Sequence, residues 1–346
     1  LFDLKNDPDE LRDLVLSRAE GNPFFIEEVV RMLIDRGLVR RHDDKWVADG
    51  SISMLDVPET LHGLLTSRID SLSVEARHVA RVASVIGRQF ETRLLSRVVR
   101  SDDVSEQPTV PPEINALEAA GVIKLVAARP ELAFSFRHAL IHDVTYESVL
   151  KKERRRLHAA VGSALAELYP DRIDEYSPVL ARHFEEAGDR DKALHHLLVA
   201  GHAAASRNAM PESHDFYVRA LALVETDANA SPRLKIETAL SAAEAGMRFI
   251  PGGQTVAALE AIRSDAEAFG ETDLVARVYA LILRVRTIME ENYADPAFRE
   301  VMDRAYAIAP QVSQPDLRAF LMGMMGQVLR SADEYEAAVD LTGSSV

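Results

Sequence analysis

The stretch Gly21-Asn22-Pro23-Phe24-Phe25 constrains this chain most, because it ends one helix and begins the next with no linker between them. Gly21 can adopt the left-handed backbone conformation that ends a helix. Pro23 suits the first turn of the following helix, where its missing N–H removes no hydrogen bond. Two interpretations follow: a plain corner between helices, or a rigid proline whose ring face contacts a flat ligand. The five residues alone favour the plain corner.

The composition predicts a mainly α protein of two or three domains. The chain has 346 residues, of which 47% are apolar, 27% charged and only 6% aromatic, and it contains no Cys. Helix-forming residues dominate, and the length exceeds what one core holds. The missing Cys excludes disulfides and thiolate metal sites. The apolar runs are too short for a membrane span, so we expect a cytoplasmic protein. Because the chain begins at Leu1, we expect it to be a fragment.

Two short hairpins are predicted in the first half of the chain, near residues 38–47 and 122–136. The first turns at Asp43-Asp44, and we expect Trp46 to pack it onto the preceding helix. Helices are predicted around these hairpins, one of them opened by a cap at Asp7. The others are expected over 23–36, from Pro58 to Asp70, from Ser73 to Gly87, over 91–100 and over 114–120. Helix, helix and hairpin in this order are typical of a winged helix, which a polar loop at 101–112 interrupts.

From about Ser177 the chain is predicted to be helix after helix, with breaks at Gly188-Asp189, Gly252-Gly253 and Ala294-Asp295-Pro296. An internal repeat supports a solenoid of helical hairpins similar to tetratricopeptide repeats. Its first copy matches the second at a constant offset of 39, and a looser third copy begins near Asp333. The matched positions are Leu259, Ile262, Ala266 and Phe269 in one copy, and Phe298, Val301, Ala305 and Ile308 in the other.

The net charge of −15 argues against general nucleic-acid binding, which needs clustered Lys and Arg. One basic run, residues 151–156, can meet a phosphate or an acidic partner, although such runs usually form the solvated face of a helix. The pairs Asp43-Asp44 and Asp102-Asp103 are expected to be solvated turn residues.

His138 is the main candidate for chemistry, because it lies near the N-terminus of a predicted helix, where backbone N–H groups favour an anion. The alternative is a histidine that caps or packs the helix start. His138 and His142 are four apart, a spacing that a metal pair also uses, but no third ligand is evident. His42, His195 and His196 are expected to face solvent. We predict no metal site and no catalytic residue in this chain.

The segment from Glu20 to Val30 resembles the lid of signal-transduction ATPases with numerous domains (the STAND class of the AAA superclass). The resemblance runs from about residue 7 to about 225. It implies an ATPase lid over residues 1–54, a winged helix over 55–150 and tetratricopeptide-like repeats over 151–346. In this family a Gly-x-Pro turn packs its proline on adenine. The bacterial members most similar to the chain are often fused to a class III adenylate or guanylate cyclase.

The resemblance also implies that Gly21, Pro23 and His138 contact ATP or ADP, shared with a P-loop domain outside this chain. A winged-helix histidine in this family reaches the β-phosphate of ADP and holds the inactive state. Relatives have Met-His-Asp there, whereas this chain has Arg137-His138-Ala139. The missing Asp puts the support of that histidine in doubt.

The chain has no Gly-x-x-x-x-Gly-Lys-Ser/Thr loop, so it does not cradle a triphosphate by itself. We therefore expect a regulatory fragment whose repeats bind a protein partner or a small effector. Two alternatives stay open. One is a scaffold with idle nucleotide elements, and the other is a winged-helix DNA binder.

Overall fold

The computed structural model of this chain describes residues 15–42, 45–48, 60–99, 112–129, 131–289 and 295–331. It divides into two compact units, Leu1–Leu168 and Tyr169–Val346. Helices dominate both units, so the predicted mainly α fold is confirmed. The capping residue Asp7, the turn Asp43-Asp44, the side chains of His42 and Trp46, the loop residues 101–111 and the third repeat copy near Asp333 lie outside this description.

After the helical residues 15–19, the first unit continues with a helix and a hairpin that share a small core. Helix α1 is followed by strands β1 and β2, which pair antiparallel with Arg40 opposite Val47. The buried side chains of α1 pack against Val15, Ala19 and Leu64. The hairpin predicted over 38–47 is confirmed. The bounds are Pro23–Asp35 for α1, Val39–His42 for β1 and Lys45–Ala48 for β2.

The rest of the first unit combines helices with a three-stranded antiparallel sheet of order β3-β5-β4. Phe90 pairs with Phe134, and Ile123 with Phe136, so the hairpin predicted over 122–136 is confirmed. The elements are α2 (Leu61–Asp70), α3 (Val74–Ile86), β3 (Gln89–Glu91), α4 (Thr92–Val99), α5 (Glu113–Ala119), β4 (Ile123–Ala127), β5 (Ala133–Phe136), α6 (Ala139–Glu147) and α7 (Lys151–Leu168).

Two predicted boundaries in this unit are wrong. Helix α2 begins at Leu61 rather than at Pro58, because Thr60 is extended and its hydroxyl caps the helix through Gly63 N–H. The helix expected from Glu91 begins at Thr92, because Gln89–Glu91 forms the edge strand β3. Three residues are too few to show the alternation by which a strand is recognised in a sequence.

The second unit is helical throughout its described residues, in agreement with the solenoid prediction. Each helix packs on the next along the chain from α8 to α13, and α15 packs mainly on α13. Short 3₁₀ turns lie at Pro170–Arg172 and Ala309–Gln311. The helices are α8 (Ile173–Ala187), α9 (Arg190–Ser206), α10 (Met210–Glu225), α11 (Pro232–Gly246), α12 (Gly252–Phe269), α13 (Thr272–Ile288), α14 (Pro296–Ile308) and α15 (Pro315–Ser331).

The residues that match at an offset of 39 lie on equivalent faces of α12 and α14. Leu259 and Ala266 on α12 are fully buried, as are their counterparts on α14. Phe269 is the exception: it is 41% exposed and lies beside Gly270, whose left-handed φ of 78° ends the helix. Phe269 therefore does not share the burial of Leu259 and Ala266. Among the described helices, none has the length and apolar character that a membrane crossing requires.

The aromatic residues of α14 allow a matched test of this core. Phe298 is 2% exposed and Tyr306 is 62% exposed on the same helix. We expect Phe298→Ala to lower the free energy of unfolding of the second unit by about 3–5 kcal/mol, because it removes apolar burial and leaves a cavity. Tyr306→Ala should change it by less than about 0.5 kcal/mol. Denaturant unfolding measures both, and equal effects would contradict the packing.

His196 is buried, which corrects the expectation that it faces solvent. Its ring lies on the inner side of α9, with Nδ1 3.2 Å from the hydroxyl of Ser177 on α8. That hydroxyl donates to the carbonyl of Ile173, so Nδ1–H donates to it in turn. Burial, followed by the charges of His195 and Lys192, lowers the pKa of His196 from 6.5 to about 4.

This low pKa predicts acid sensitivity of the second unit. His196 binds a proton below pH 6.5 in the unfolded chain, but only below about pH 4 in the folded chain. Stability therefore falls as the pH drops through that window, by up to about 3 kcal/mol from this group. In pH-dependent unfolding, His196→Gln should flatten the slope, whereas replacement of the exposed neighbour, His195→Gln, should retain most of it, because burial is the largest cause of the lowered pKa. A slope unchanged in His196→Gln would show that His196 is not its source.

Candidate functional site

The N-termini of two helices of the first unit meet at a stacked pair of rings. Phe24 is the second residue of α1, and His138 precedes the first residue of α6. Their ring centroids are 3.8 Å apart and their planes differ by 13°. The structure therefore places His138 against Phe24, the residue that follows Pro23 in the turn.

The turn before α1 has the predicted local geometry. Glu20 and Gly21 both have left-handed backbones, with φ of 46° and 82°. Pro23 is exposed and occupies the first helical position. Asn22, which sequence reasoning did not single out, caps the helix by accepting a hydrogen bond from Phe24 N–H at 3.1 Å. The turn is thus a rigid corner with an exposed proline ring, while a ligand role for Gly21 and Pro23 stays a prediction.

His138 caps helix α6 with its side chain. Its backbone is extended, and Nδ1 accepts a hydrogen bond from Leu140 N–H at 3.3 Å. Since Nδ1 acts as an acceptor, the neutral ring carries its proton on Nε2. His138 therefore combines the capping role of one interpretation with an Nε2–H donor that the anion-binding interpretation needs.

His142 serves packing within the first unit. Its Nε2 is 3.0 Å from the carbonyl oxygen of Ser84, and its Nδ1 is 2.8 Å from Oδ1 of Asp143. The ring also meets Phe136 edge-on at 5.2 Å. Both nitrogens have protein partners, so a metal pair with His138 has no support. In the part of the chain that the structure describes, no three acidic, His or Cys side chains come together as metal ligands.

A buried ion pair lies one helical turn behind the stacked rings. Glu28 of α1 is 2% exposed, and the Arg68 side chain of α2 is 10% exposed. Arg68 donates to Oε2 of Glu28 through Nη1 and to the carbonyl of Ala120 through Nε, the latter at 2.9 Å. Ala120 is the C-cap of helix α5, so the guanidinium of Arg68 also interacts with the negative end of the helix dipole. The pair ties α1, α2 and α5 together.

Sequence reasoning missed both Phe24 and Glu28. A signal for Glu28 was present, because the position falls on the apolar face that Phe25 and Val29 define. A charged residue within such a face needs a buried partner. No local signal identified Phe24, because its partner His138 lies far away in the sequence.

Comparisons with known proteins do not assign this chain to a family of known function. Residues 5–46, which contain the turn, match a domain of unknown function (DUF8739). An uncharacterized protein of Rhizobium meliloti (strain 1021) is 29% identical over 235 residues. The match covers 67% of this chain, and the chain spans only 22% of that protein.

One solved structure is similar over 98% of this chain and 52% of its own length, with 12% identity and a TM-score of 0.33. It is a signal transduction ATPase with numerous domains that carries a tetratricopeptide repeat sensor, from Pyrococcus horikoshii. A similarity this distant assigns no function to the chain.

The stacked rings predict an energetic coupling between positions 24 and 138. Phe24→Ala removes the stack, and His138→Asn removes it while retaining a side chain that caps helices well. We expect the double variant to lose about 0.5–1.5 kcal/mol less unfolding free energy than the two single losses together, because the stack is lost only once. Denaturant unfolding of the four proteins gives this value.

The exposed His62 of α2 provides the control for this cycle, since its side chain is 65% exposed and pairs with Glu147 instead. Phe24→Ala and His62→Asn should show no coupling. A coupling near zero between Phe24 and His138 as well would mean that the two rings do not stack in solution.

Proposed function

We propose that this chain is a nucleotide-sensing regulatory region of a multidomain ATP-binding signalling protein. In this proposal α1 and its hairpin act as the lid, residues 55–150 with the elements α2 to α6 act as a winged-helix domain, and adenine nucleotide binds where the two meet. The observation that carries the proposal is the Phe24–His138 stack, which joins the start of α1 to the start of α6. A cyclase domain in the parent protein is suggested by the sequence resemblance alone.

The chemistry at the junction fits an adenine nucleotide. Two helix N-termini converge there, and each carries backbone N–H groups that favour a phosphate. His138 adds an Nε2–H donor, and exposed Pro23 offers a flat apolar face of the kind that contacts a purine ring. In the proposal His138 contacts a phosphate of ADP, and Gly21 and Pro23 contact adenine. A P-loop domain outside this chain would hold the remaining phosphates.

The order of elements supports the winged-helix part of the proposal. A helix, a short strand, two helices and a hairpin follow one another, and the first strand pairs with the last to give the order β3-β5-β4. In a DNA-binding helix-turn-helix, the second helix of the pair enters the major groove. Here that helix is α5, whose charged residues are Glu113 and Glu118. A helix with two acids and no Lys or Arg opposes the phosphate backbone, which favours nucleotide sensing over DNA binding.

The helical hairpins of the second unit supply the sensing part of the proposal. Stacked hairpins present extended surfaces to partners. We propose that a protein partner or a small effector binds there and shifts the balance between a closed and an open state. A ligand shifts that balance only by its difference in affinity for the two states.

Selective loss of ADP binding tests this proposal. In the protein that carries the P-loop domain, His138→Ala should weaken ADP binding about ten- to a hundred-fold, since one hydrogen bond to a charged group contributes roughly 1.5–3 kcal/mol. ATP binding should weaken less, because His138 should contact phosphate only in the closed, ADP-bound state. Pro23→Ala should weaken ADP and ATP binding alike, because both carry adenine. Calorimetric titration measures all four affinities.

Pro296→Ala is the matched control for Pro23→Ala. Pro296 also begins a helix and is also exposed, but it lies in the second unit. It should leave both affinities unchanged. ADP binding that is unchanged in His138→Ala would make His138 a packing residue. Unchanged binding in Pro23→Ala as well would favour the scaffold with idle nucleotide elements.

A further inference from the structure

A cavity of about 510 Å³ opens in the second unit where helices α10, α11 and α12 meet. Its apolar lining includes Val224 near the end of α10, Pro232 at the start of α11 and Phe269 at the end of α12. Sites for small organic molecules have volumes of about 300–1,000 Å³ and mainly apolar walls with a few polar groups. The cavity therefore has the size and the apolar wall that a small organic ligand requires.

Phe269 is exposed in a way that the core of the second unit does not explain. Ile308, which matches it at an offset of 39, packs against that core. Phe269 instead leaves 41% of its surface exposed and lines the cavity. An aromatic ring attracts a cation that is placed over its face. The ring is thus available to a positively charged ligand.

The charged residues that line the cavity are mainly acidic. They are three carboxylates, Glu225, Asp227 and Asp265, and one ammonium group, that of Lys235. Lys235 pairs with Asp265 at 3.2 Å, which leaves two negative charges in excess. In the described part of the chain neither Glu225 nor Asp227 forms an ion pair. Oδ1 of Asp227 accepts a hydrogen bond from the N–H of Asn229 at 2.9 Å, which orients this carboxylate.

The helix ends around the cavity also favour a cation. Helix α12 ends at Phe269 and helix α10 at Glu225, and neither has a basic residue in its last turn. The C-terminus of a helix carries the negative end of its dipole. Arg190 of α9 donates to the carbonyl of Leu223 at 2.8 Å near the end of α10, but it does not line the cavity. Two negative helix ends therefore border the cavity, against the one positive end of α11.

We propose that this cavity binds a small aliphatic dication of the linear diamine class. Its two ammonium groups match the two excess negative charges, and the chain between them lies along the apolar wall. One ammonium group contacts Glu225 and Asp227, and the other lies over the ring of Phe269. In naming the class of the small effector this proposal rests on the proposed function, whereas the binding itself requires no nucleotide.

Calorimetric titration of the intact protein with cadaverine, in the absence of nucleotide, tests this site. Physiological ionic strength screens the general attraction of cations to a chain of net charge −15. We expect saturable binding. Glu225→Gln combined with Asp227→Asn should weaken it at least about three-fold, because two charge contacts are lost. Phe269→Ala should weaken it about two- to five-fold. Pentylamine, with the same chain and one charge, should bind more weakly than cadaverine.

Glu212→Gln on α10 and Phe249→Ala are the matched controls, since both residues are exposed and neither lines the cavity. Both should leave the affinity unchanged. Equal losses in the controls and the cavity variants would overturn the site, as would the absence of saturable binding. Pentylamine that binds as tightly as cadaverine would overturn the dication.

A Lys-Ala-Lys peptide distinguishes the other source of such charges. Tighter binding of this peptide than of cadaverine would overturn the small ligand in favour of a basic protein segment. Because no nucleotide is present, failure of the cadaverine titration leaves the nucleotide proposal standing. Failure of the ADP titration likewise leaves this site standing.

Discussion

A carboxylate that is 2% exposed must be neutralised, and the Glu28–Arg68 pair meets this constraint in the first unit. The same guanidinium binds the carbonyl of Ala120. One side chain therefore sets the positions of α1, α2 and α5 relative to one another. The stack of Phe24 on His138 depends on that placement, because α1 must lie against the unit for its first turn to reach α6. The geometry of the proposed nucleotide site therefore depends on this ion pair.

Much of the fold was predictable because its signals are local. Gly21 and Pro23 fix a helix corner by their backbone preferences, and the two hairpins follow from short β-prone runs. The errors arose where a local pattern was too short or a partner too distant. Strand β3 has three residues and pairs with β5 far along the chain. His196 looked like a surface histidine until Ser177 on the neighbouring helix gave it a buried partner.

The sequence likewise predicted some residues of the candidate site and missed others. Sequence reasoning selected Gly21, Pro23 and His138, and the structure places His138 against Phe24, the residue after Pro23. Sequence reasoning did not select Phe24 or Glu28, because the partner of each lies far away in the sequence. The resemblance to signalling ATPases named the ligand, and neither the match to a domain of unknown function nor the distant structural similarity tests it. The ligand is therefore the part of the account that most needs a direct measurement.

Photolabelling of the intact protein with an azido-adenine analogue of ADP provides that measurement. The account predicts that the label attaches to the tryptic peptide from Ala19 to Arg31, which carries Pro23 and Phe24, and that excess ADP prevents it. In Pro23→Ala the same peptide should take up less label. Labelling that is confined to other peptides, or that excess ADP does not prevent, would contradict the claim that this turn contacts adenine.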